Sequence, residues 1–324
     1  MVQSSKTKLT RLILVVPCYN EEEVLPVTSE KLKQVLEGLI GRRKISKDSF
    51  IAFVDDGSRD STWEFIEEKA SVTPCIRGIK LARNFGHQGA LIAGLNTFMN
   101  TADCIITIDA DLQDDIRIIE EMVDQYHAGY DIVYGVRKER KTDSFFKHFT
   151  AVAFYRFIKW LGVEIIYNHS DYRLASRRAL QNLSSFTEVN LFLRGIFPLI
   201  GFPSTVVYYD RQERFAGKSK YPLIKMLEFA FDGISSFSVK PLRIVSIIGV
   251  IIFVLTILMA AYALYSYFFT GTVPGWTSIT LPVYFIGGVQ VLSIGILGEY
   301  LGKVYKEVKS RPRFIIEKIL EEKK

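Results

Sequence analysis

Between Arg243 and Glu299 the chain carries no charged side chain. No other feature restricts the fold as strongly. A helix needs ~20 residues to cross a hydrocarbon core of ~30 Å. The stretch TGTVPGWTS, Thr270 to Ser278, reads through its Gly and Pro residues as a turn that divides the span. Two transmembrane helices are therefore expected, near Leu242–Phe269 and Ile279–Leu301, with Tyr262, Tyr265, Tyr267 and Trp276 as interfacial aromatics near the connecting loop. A helical hairpin buried in a soluble core is the competing reading, and the uncharged span is too long for it.

Lys240 and Arg243 precede the first expected helix, and Lys303, Lys306, Lys309, Arg311 and Arg313 follow the second. The positive-inside rule then puts both ends in the cytoplasm. The net charge of +6 suits an anionic membrane surface. Nucleic acid is not an expected partner, because no basic, aromatic-interleaved motif occurs. Leu12–Val16 is too short for a signal-peptide core, so the N-terminal part is expected to stay cytoplasmic. Cys18, Cys75 and Cys104 read as reduced thiols, and no Cys/His spacing resembles a zinc site.

From Leu9 to about Gly135 short apolar runs alternate with amphipathic stretches. The expected strands are RLILVVP, FIAFVDD, CIRGIKL, CIITIDAD and DIVYGV, with helices at Glu22–Leu39, Ser61–Ala70, Gln88–Met99 and Asp115–His127. Such alternation implies βαβ units and a mostly parallel sheet, whose ligands bind beyond the carboxyl ends of the strands. PCYNEEE, DDGSRDST, ARNFGHQGA and DADLQDD all fall there. Neither G-x-G-x-x-G after the first strand nor G-x-x-x-x-G-K-[ST] occurs, which excludes a dinucleotide-binding fingerprint and a P-loop.

ITIDADLQDD crowds four carboxylates, Asp109, Asp111, Asp114 and Asp115, into seven residues. Mg²⁺ or Mn²⁺ takes one or two carboxylates together with substrate phosphates, so a D-x-D at a strand end suits a metal that carries a diphosphate. Asp109 and Asp111 are assigned that task, with Gln113 beside them. Asp114 and Asp115, like Glu22 and Glu23, are read as charges at a helix start.

VVPCYNEEE, FVDDGSRDST and DADLQDD together resemble family-2 inverting glycosyltransferases of the GT-A fold. KLARNFGHQGALIAGL, SDYRL and RFAGKSKY narrow the likeness to polyisoprenyl-phosphate glycosyltransferases, such as dolichyl-phosphate mannose synthase and bacterial undecaprenyl-phosphate glucosyltransferases. The resemblance spans Leu12 to about Gly302. It implies transfer of one hexose, with inversion, from a nucleotide diphosphate sugar to a polyisoprenyl phosphate. UDP-glucose is the expected donor and GDP-mannose its rival. The resemblance places Pro17, Tyr19, Glu21, Asp55 and Asp56 at the nucleotide. Asp109, Ala110, Asp111 and Gln113 fall at the metal and diphosphate, with Asp111 also counted as catalytic. Arg214, Ser219 and Lys220 lie on a loop that in relatives closes over donor and acceptor phosphates.

Many family-2 enzymes carry a Glu-Asp pair whose Asp deprotonates a sugar hydroxyl. Here NHSDYRL offers Asp171 without an adjacent Glu. A lipid phosphate, with a second pKa near 6, is already largely dianionic at neutral pH. Asp171 is therefore expected to orient or assist, with Arg137, Lys141 and Arg173 receiving the lipid phosphate.

Leu223, Met226, Leu227, Ala230, Phe231, Ile234 and Phe237 recur at helical spacing opposite Lys225, Glu228 and Asp232, as in an interfacial helix. Ser144–Gly162 is a rougher case. The expected layout is a GT-A catalytic domain over 1–221, the interface helix over 222–238, two membrane helices over 239–303 and a basic cytoplasmic tail over 304–324. Processive polysaccharide synthases usually carry Q-x-x-R-W, and no Trp here follows an Arg. A non-catalytic lipid-sugar binding or flipping partner is the reading from another class, disfavoured by the intact motifs. The expected partners are the donor, the lipid acceptor, the bilayer, a second copy of the chain and a separate downstream flippase.

Overall fold

The computed structural model describes residues 9–138, 169–186, 188, 193–210, 240–269 and 275–320. Lys141, Arg214, Ser219, Lys220 and both expected interface helices lie outside the described residues. The chain divides into two units, Met1–Val152 with Glu164–Tyr221 and Pro312–Lys324, and Ala153–Val163 with Pro222–Arg311.

The first unit is built on one eight-stranded sheet in the order β7-β5-β6-β4-β1-β2-β3-β8. The strands are β1 Leu12–Cys18, β2 Phe50–Asp55, β3 Ile76–Leu81, β4 Cys104–Thr107, β5 Ile132–Arg137, β6 His169–Ser176, β7 Ser204–Tyr209 and β8 Ile316–Leu320. β1 pairs in parallel with β2 and β4, β2 with β3, and β5 with β7. β6 runs antiparallel between β4 and β5, and β8 antiparallel to β3. The fold is α/β with a mostly parallel sheet, as expected.

β1, β2 and β4 are wholly buried, which explains their unbroken apolar runs. Alternate residues of β1 face opposite layers. Leu12, Leu14 and Val16 share a core with Leu25, Leu32, Leu36 and Leu39 of α1 (Leu25–Gly41). On the other side Val15 meets Gly94 of α3 (His87–Phe98), where a Cβ would come within 2.5 Å of Val15 Cγ1. Between these helices lies α2 (Thr62–Val72), and after β4 come a 3-10 turn (Ile116–Ile118) and α4 (Ile119–His127). α5 (Arg177–Leu183) and α6 (Leu193–Leu199) follow β6.

The chain winds from β1 to β3 on one side of β1 and places β4 on the other. That reversal opens the sheet at the carboxyl ends of β1 and β4, the usual ligand crevice of such folds. An antiparallel β6 brings its beginning to this edge, since Thr107 at the end of β4 pairs with Arg173.

Three differences from expectation have physical causes. α1 starts at Leu25 because Pro26 sits in its first turn, and Glu22 instead accepts from Ser61 N at 3.0 Å. β4 stops at Thr107, and Leu112, at φ 55, turns the chain through the left-handed region. Residues 316–320, expected within a tail, form β8 because Leu320 finds a partly buried seat against the core.

In the second unit α7 (Lys240–Phe269) and α8 (Trp276–Val308) are both helical, and both extend past the expected bounds. Among the described residues one helical segment, Phe285–Val308 of α8, is long and apolar enough to cross a membrane. Ile247, Val250, Leu258, Val291 and Leu301 present exposed apolar surface on these helices.

Candidate active site

The loops after β1 and β2 are tied together. Asn20, at φ 53, donates its N–H to Ser58 Oγ at 2.9 Å and accepts from Arg59 N at 2.9 Å. Glu21 N donates to Thr62 Oγ1 at 2.9 Å. Pro17 is the last residue but one of the buried β1, and Tyr19 and Glu21 lie half-buried at the crevice. Asp55 is buried, accepts from Ser58 N at 3.2 Å, and is raised above the ordinary carboxylate range by burial.

Asp56, expected at the nucleotide, faces the loop after β3. Its two oxygens accept from Phe85 N at 2.7 Å and Gly86 N at 2.9 Å. Gly57, at φ +67, allows the approach, because a Cβ there would lie 2.6 Å from the Arg83 carbonyl carbon. The held loop delivers His87 as the first residue of α3.

His87 Nε2 lies 3.6 Å from Asp109 Oδ1 and 3.5 Å from Asp171 Oδ2. Burial alone would lower its pKa, but the hydrogen bond to Asp171 and the charges of Asp109 and Asp171 raise it to about 9. Asp171 is 5% exposed. Its Oδ1 accepts from Arg173 Nη2 at 2.5 Å and its Oδ2 from Arg194 Nη2 at 3.1 Å and Gln88 Nε2 at 3.4 Å. Burial opposes its ionisation, yet Arg194, His87 and Arg173 hold it well below the usual carboxylate range.

Arg173 is itself 2% exposed, donates Nη1 to the Leu193 carbonyl at 3.2 Å, and lies 4.5 Å over the Phe197 ring. Arg173, expected at the lipid phosphate, is thus buried and engaged on both sides. β6 alternation explains this: Tyr172 and Leu174 enter the main core, while Asp171 and Arg173 share the opposite face.

Asp109 is raised to about 6, first by burial and then by Asp114, Asp171 and Asp111, with His87 opposing. Ala110 is fixed to α1 through the Thr28 hydroxyl, which donates to its carbonyl at 2.7 Å. Asp111 Oδ1 accepts from the main-chain N–H of the buried Gln113 at 3.1 Å. Among the described residues no group of three or more His, Cys, Asp or Glu gathers as a metal cage. Asp109 and Asp111 still fit a hard dication that takes two carboxylates and completes its shell with water and substrate phosphates. Such a cation would offset both the burial and the neighbouring carboxylates that lift Asp109.

Asp114 and Asp115 separate. Asp115 caps the 3-10 turn by accepting from Arg117 N at 3.0 Å, as a helix-start charge should. Asp114 does not cap. It is buried and holds the Tyr209 hydroxyl and Arg137 Nη2, the latter at 3.0 Å, while its Oδ2 has no hydrogen-bond partner among the described residues. Arg137 Nε also donates to Tyr209 Oη at 3.1 Å, so the guanidinium is fixed at the end of β5.

Sequence reasoning missed His87, Gln88 and Arg194. A His-Gln pair opening a helix after a strand, and a lone Arg inside the apolar run LFLRGIF, were the available signals.

The model for Glycosyl transferase family 2 matches residues 13–184. The uncharacterized glycosyltransferase YkoT of Bacillus subtilis (strain 168) is 51% identical over 306 residues, covering 94% of this chain and 91% of the relative. The bactoprenol glucosyl transferase of Shigella phage SfX is 38% identical over 308 residues, covering 94% and 98%. Among solved structures, glucosyl-3-phosphoglycerate synthase from Mycobacterium tuberculosis with Mn²⁺, UDP-glucose and phosphoglyceric acid is 17% identical. It covers 70% of this chain and 78% of that one, at a TM-score of 0.43.

Proposed function

This chain belongs to glycosyl transferase family 2, and from that premise we propose that it transfers one hexose from UDP-glucose to a polyisoprenyl phosphate, with inversion, at the cytoplasmic face of a membrane. The name of the phage relative, a bactoprenol glucosyl transferase, supports the acceptor class. The observation that carries the reading is the state of Asp171. It is ion-paired to Arg173 and Arg194 and kept ionised. A carboxylate so held is a poor base for a sugar hydroxyl. A lipid phosphate, with a second pKa near 6, needs no base.

In this reading Pro17, Tyr19, Glu21 and Asp55 line the nucleotide end of the crevice. Asp109 and Asp111, with Gln113, would hold Mg²⁺ or Mn²⁺ together with the donor diphosphate. That cation, when bound, offsets the negative charge that builds on the departing diphosphate. His87 and Arg194 set fixed positive charge on either side of Asp171, and Arg137 lies beyond Asp114. These cations draw the acceptor phosphate towards the anomeric carbon and offset the repulsion between two anionic substrates. Arg214, Ser219 and Lys220 are assigned to the same phosphates by resemblance, and Lys141 is assigned with Arg137 to the lipid phosphate. The two long helices are read as a membrane hairpin with both ends in the cytoplasm.

The test is transfer from radiolabelled UDP-glucose or GDP-mannose to undecaprenyl phosphate with Mg²⁺ or Mn²⁺. An organic-extractable product with UDP-glucose is expected. A water-soluble product would point to a soluble acceptor, and absence of any metal-dependent turnover would overturn the enzyme reading.

A further inference from the structure

β8 comes from the end of the chain, seven residues after α8 closes at Val308, yet it completes the edge of the sheet beside β3. Gly78 admits it. A Cβ there would lie 3.0 Å from Leu320 Cδ1 and 2.7 Å from Ile66 Cγ2. Glu317 pairs with Lys80 at 3.1 Å, and Lys318 pairs with Glu67. Because β8 is antiparallel to β3, its beginning lies at the carboxyl end of β3, where the loop to His87 departs.

The residues just before β8 touch that loop. Ala82 N donates to the Ile315 carbonyl at 2.9 Å. The Arg313 carbonyl lies over the first turn of α3, 3.6 Å from the position of a Cβ on Gly89. The Arg313 guanidinium donates to the Phe186 carbonyl at 2.5 Å. Arg313–Leu320 therefore touches the loop that carries His87 and Gln88 and, through Phe186, the chain just after α5. Gln88 links that loop to α6 at the site, since its Oε1 accepts from Leu193 N at 3.3 Å.

We propose that Arg313–Leu320 is a positioning element of the active site, holding the His87–Gln88 loop in register with α6, whose Leu193 N–H Gln88 accepts. This rests on the transferase reading for its kinetic test but not for its structural one. A displacement of about 1 Å at the reacting groups can cost on the order of a hundredfold in rate. The element acts more on chemistry than on donor binding, because the loops after β1 and β2 are also tied to each other, and among the described residues only Asp56 joins them to the loop that the element holds.

The full-length protein is made as Lys318→Pro, which breaks the β3–β8 ladder, and as Arg313→Ala, which keeps the ladder and removes the hold on Phe186. Hydrogen exchange of the peptide 79–90, the thermal midpoint, donor KM and kcat are measured. In both variants exchange at 82–90 is expected to quicken, and kcat to fall about tenfold or more with donor KM within about twofold. Unchanged exchange and unchanged kcat in Arg313→Ala would overturn the proposal. So would a parallel loss of kcat, donor affinity and thermal midpoint in both variants, the sign of a general stabilising role. If the unaltered protein transfers no sugar, the transferase reading fails, and the exchange measurement still decides whether the element holds the loop.

Discussion

His87 Nε2 lies 3.5 Å from Asp171 Oδ2, so the first residue of α3 and the third residue of β6 share one charge contact at the crevice. The contact gathers groups from separate parts of the chain, and its strength is testable from both sides.

Removing the acid should damage the fold before the chemistry. Asp171→Asn leaves Arg173 buried without its counter-ion, at a cost of about 3–5 kcal/mol. The thermal midpoint is expected to drop sharply. Asp171→Asn with Arg173→Met, which removes both charges, should recover most of that loss. If Asp171→Asn kept full stability and donor binding but lost all turnover at every pH, the base role rejected above would return.

His87 supplies a pH dependence of definite sign. Its folded pKa, about 9, is raised above its unfolded value. The stabilising charge is complete below the unfolded pKa of about 6.5 and is lost as pH rises through the folded one. In metal-free buffer the thermal midpoint should therefore decline from about pH 6.5 to about pH 9. His87→Gln should flatten that decline. Asp171 contributes in the opposite sense, and its share disappears only as pH falls below the carboxylate range.

Asp56 separates loop support from nucleotide contact. Asp56→Ala leaves the Phe85 N–H without its partner, at about 1–3 kcal/mol, and leaves the Gly86 N–H to Asn84 Oδ1 alone. The expected kinetic result is a lower kcat with a smaller change in donor KM. A donor KM raised more than kcat is lowered would place Asp56 on the nucleotide.

Metal uptake should release a proton. Asp109 in the metal-free protein titrates at about 6 and must ionise to bind a dication. Calorimetry with Mn²⁺ near pH 6, in buffers of differing ionisation enthalpy, should register the release. Asp109→Asn should abolish it. Chelation should stop turnover, and added Mg²⁺ or Mn²⁺ should restore it.

The parallel half of the fold was legible because β1, β2 and β4 are buried on both faces and read as unbroken apolar runs. That Asp55, Asp109 and Asp111 stand at the crevice was legible because they follow the ends of such runs. The antiparallel strands were not. His169–Ser176 mixes charged residues with apolar ones, and only its place between β4 and β5 shows why Arg173 can be buried. β8 hid within a basic stretch whose pairing partner lies more than two hundred residues earlier. His87, Gln88 and Arg194 acquire meaning through Asp171, a partner that no local spacing reveals. Asp114 looked like a cap because it stands next to one.

The antiparallel placement of β6 has a consequence for how the protein matures. Asp171 and Arg173 alternate with Ser170, Tyr172 and Leu174 along one strand. A slip of a single residue against β4 would exchange the two sets, driving the acid and the guanidinium into the oily layer and turning two apolar side chains towards the crevice. The Thr107 hydroxyl, bonded to the Asp171 carbonyl, marks the correct alignment. A misaligned chain would lack the charges of the site and expose sticky surface at once, so quality control could recognise an inactive product by the same error that made it inactive.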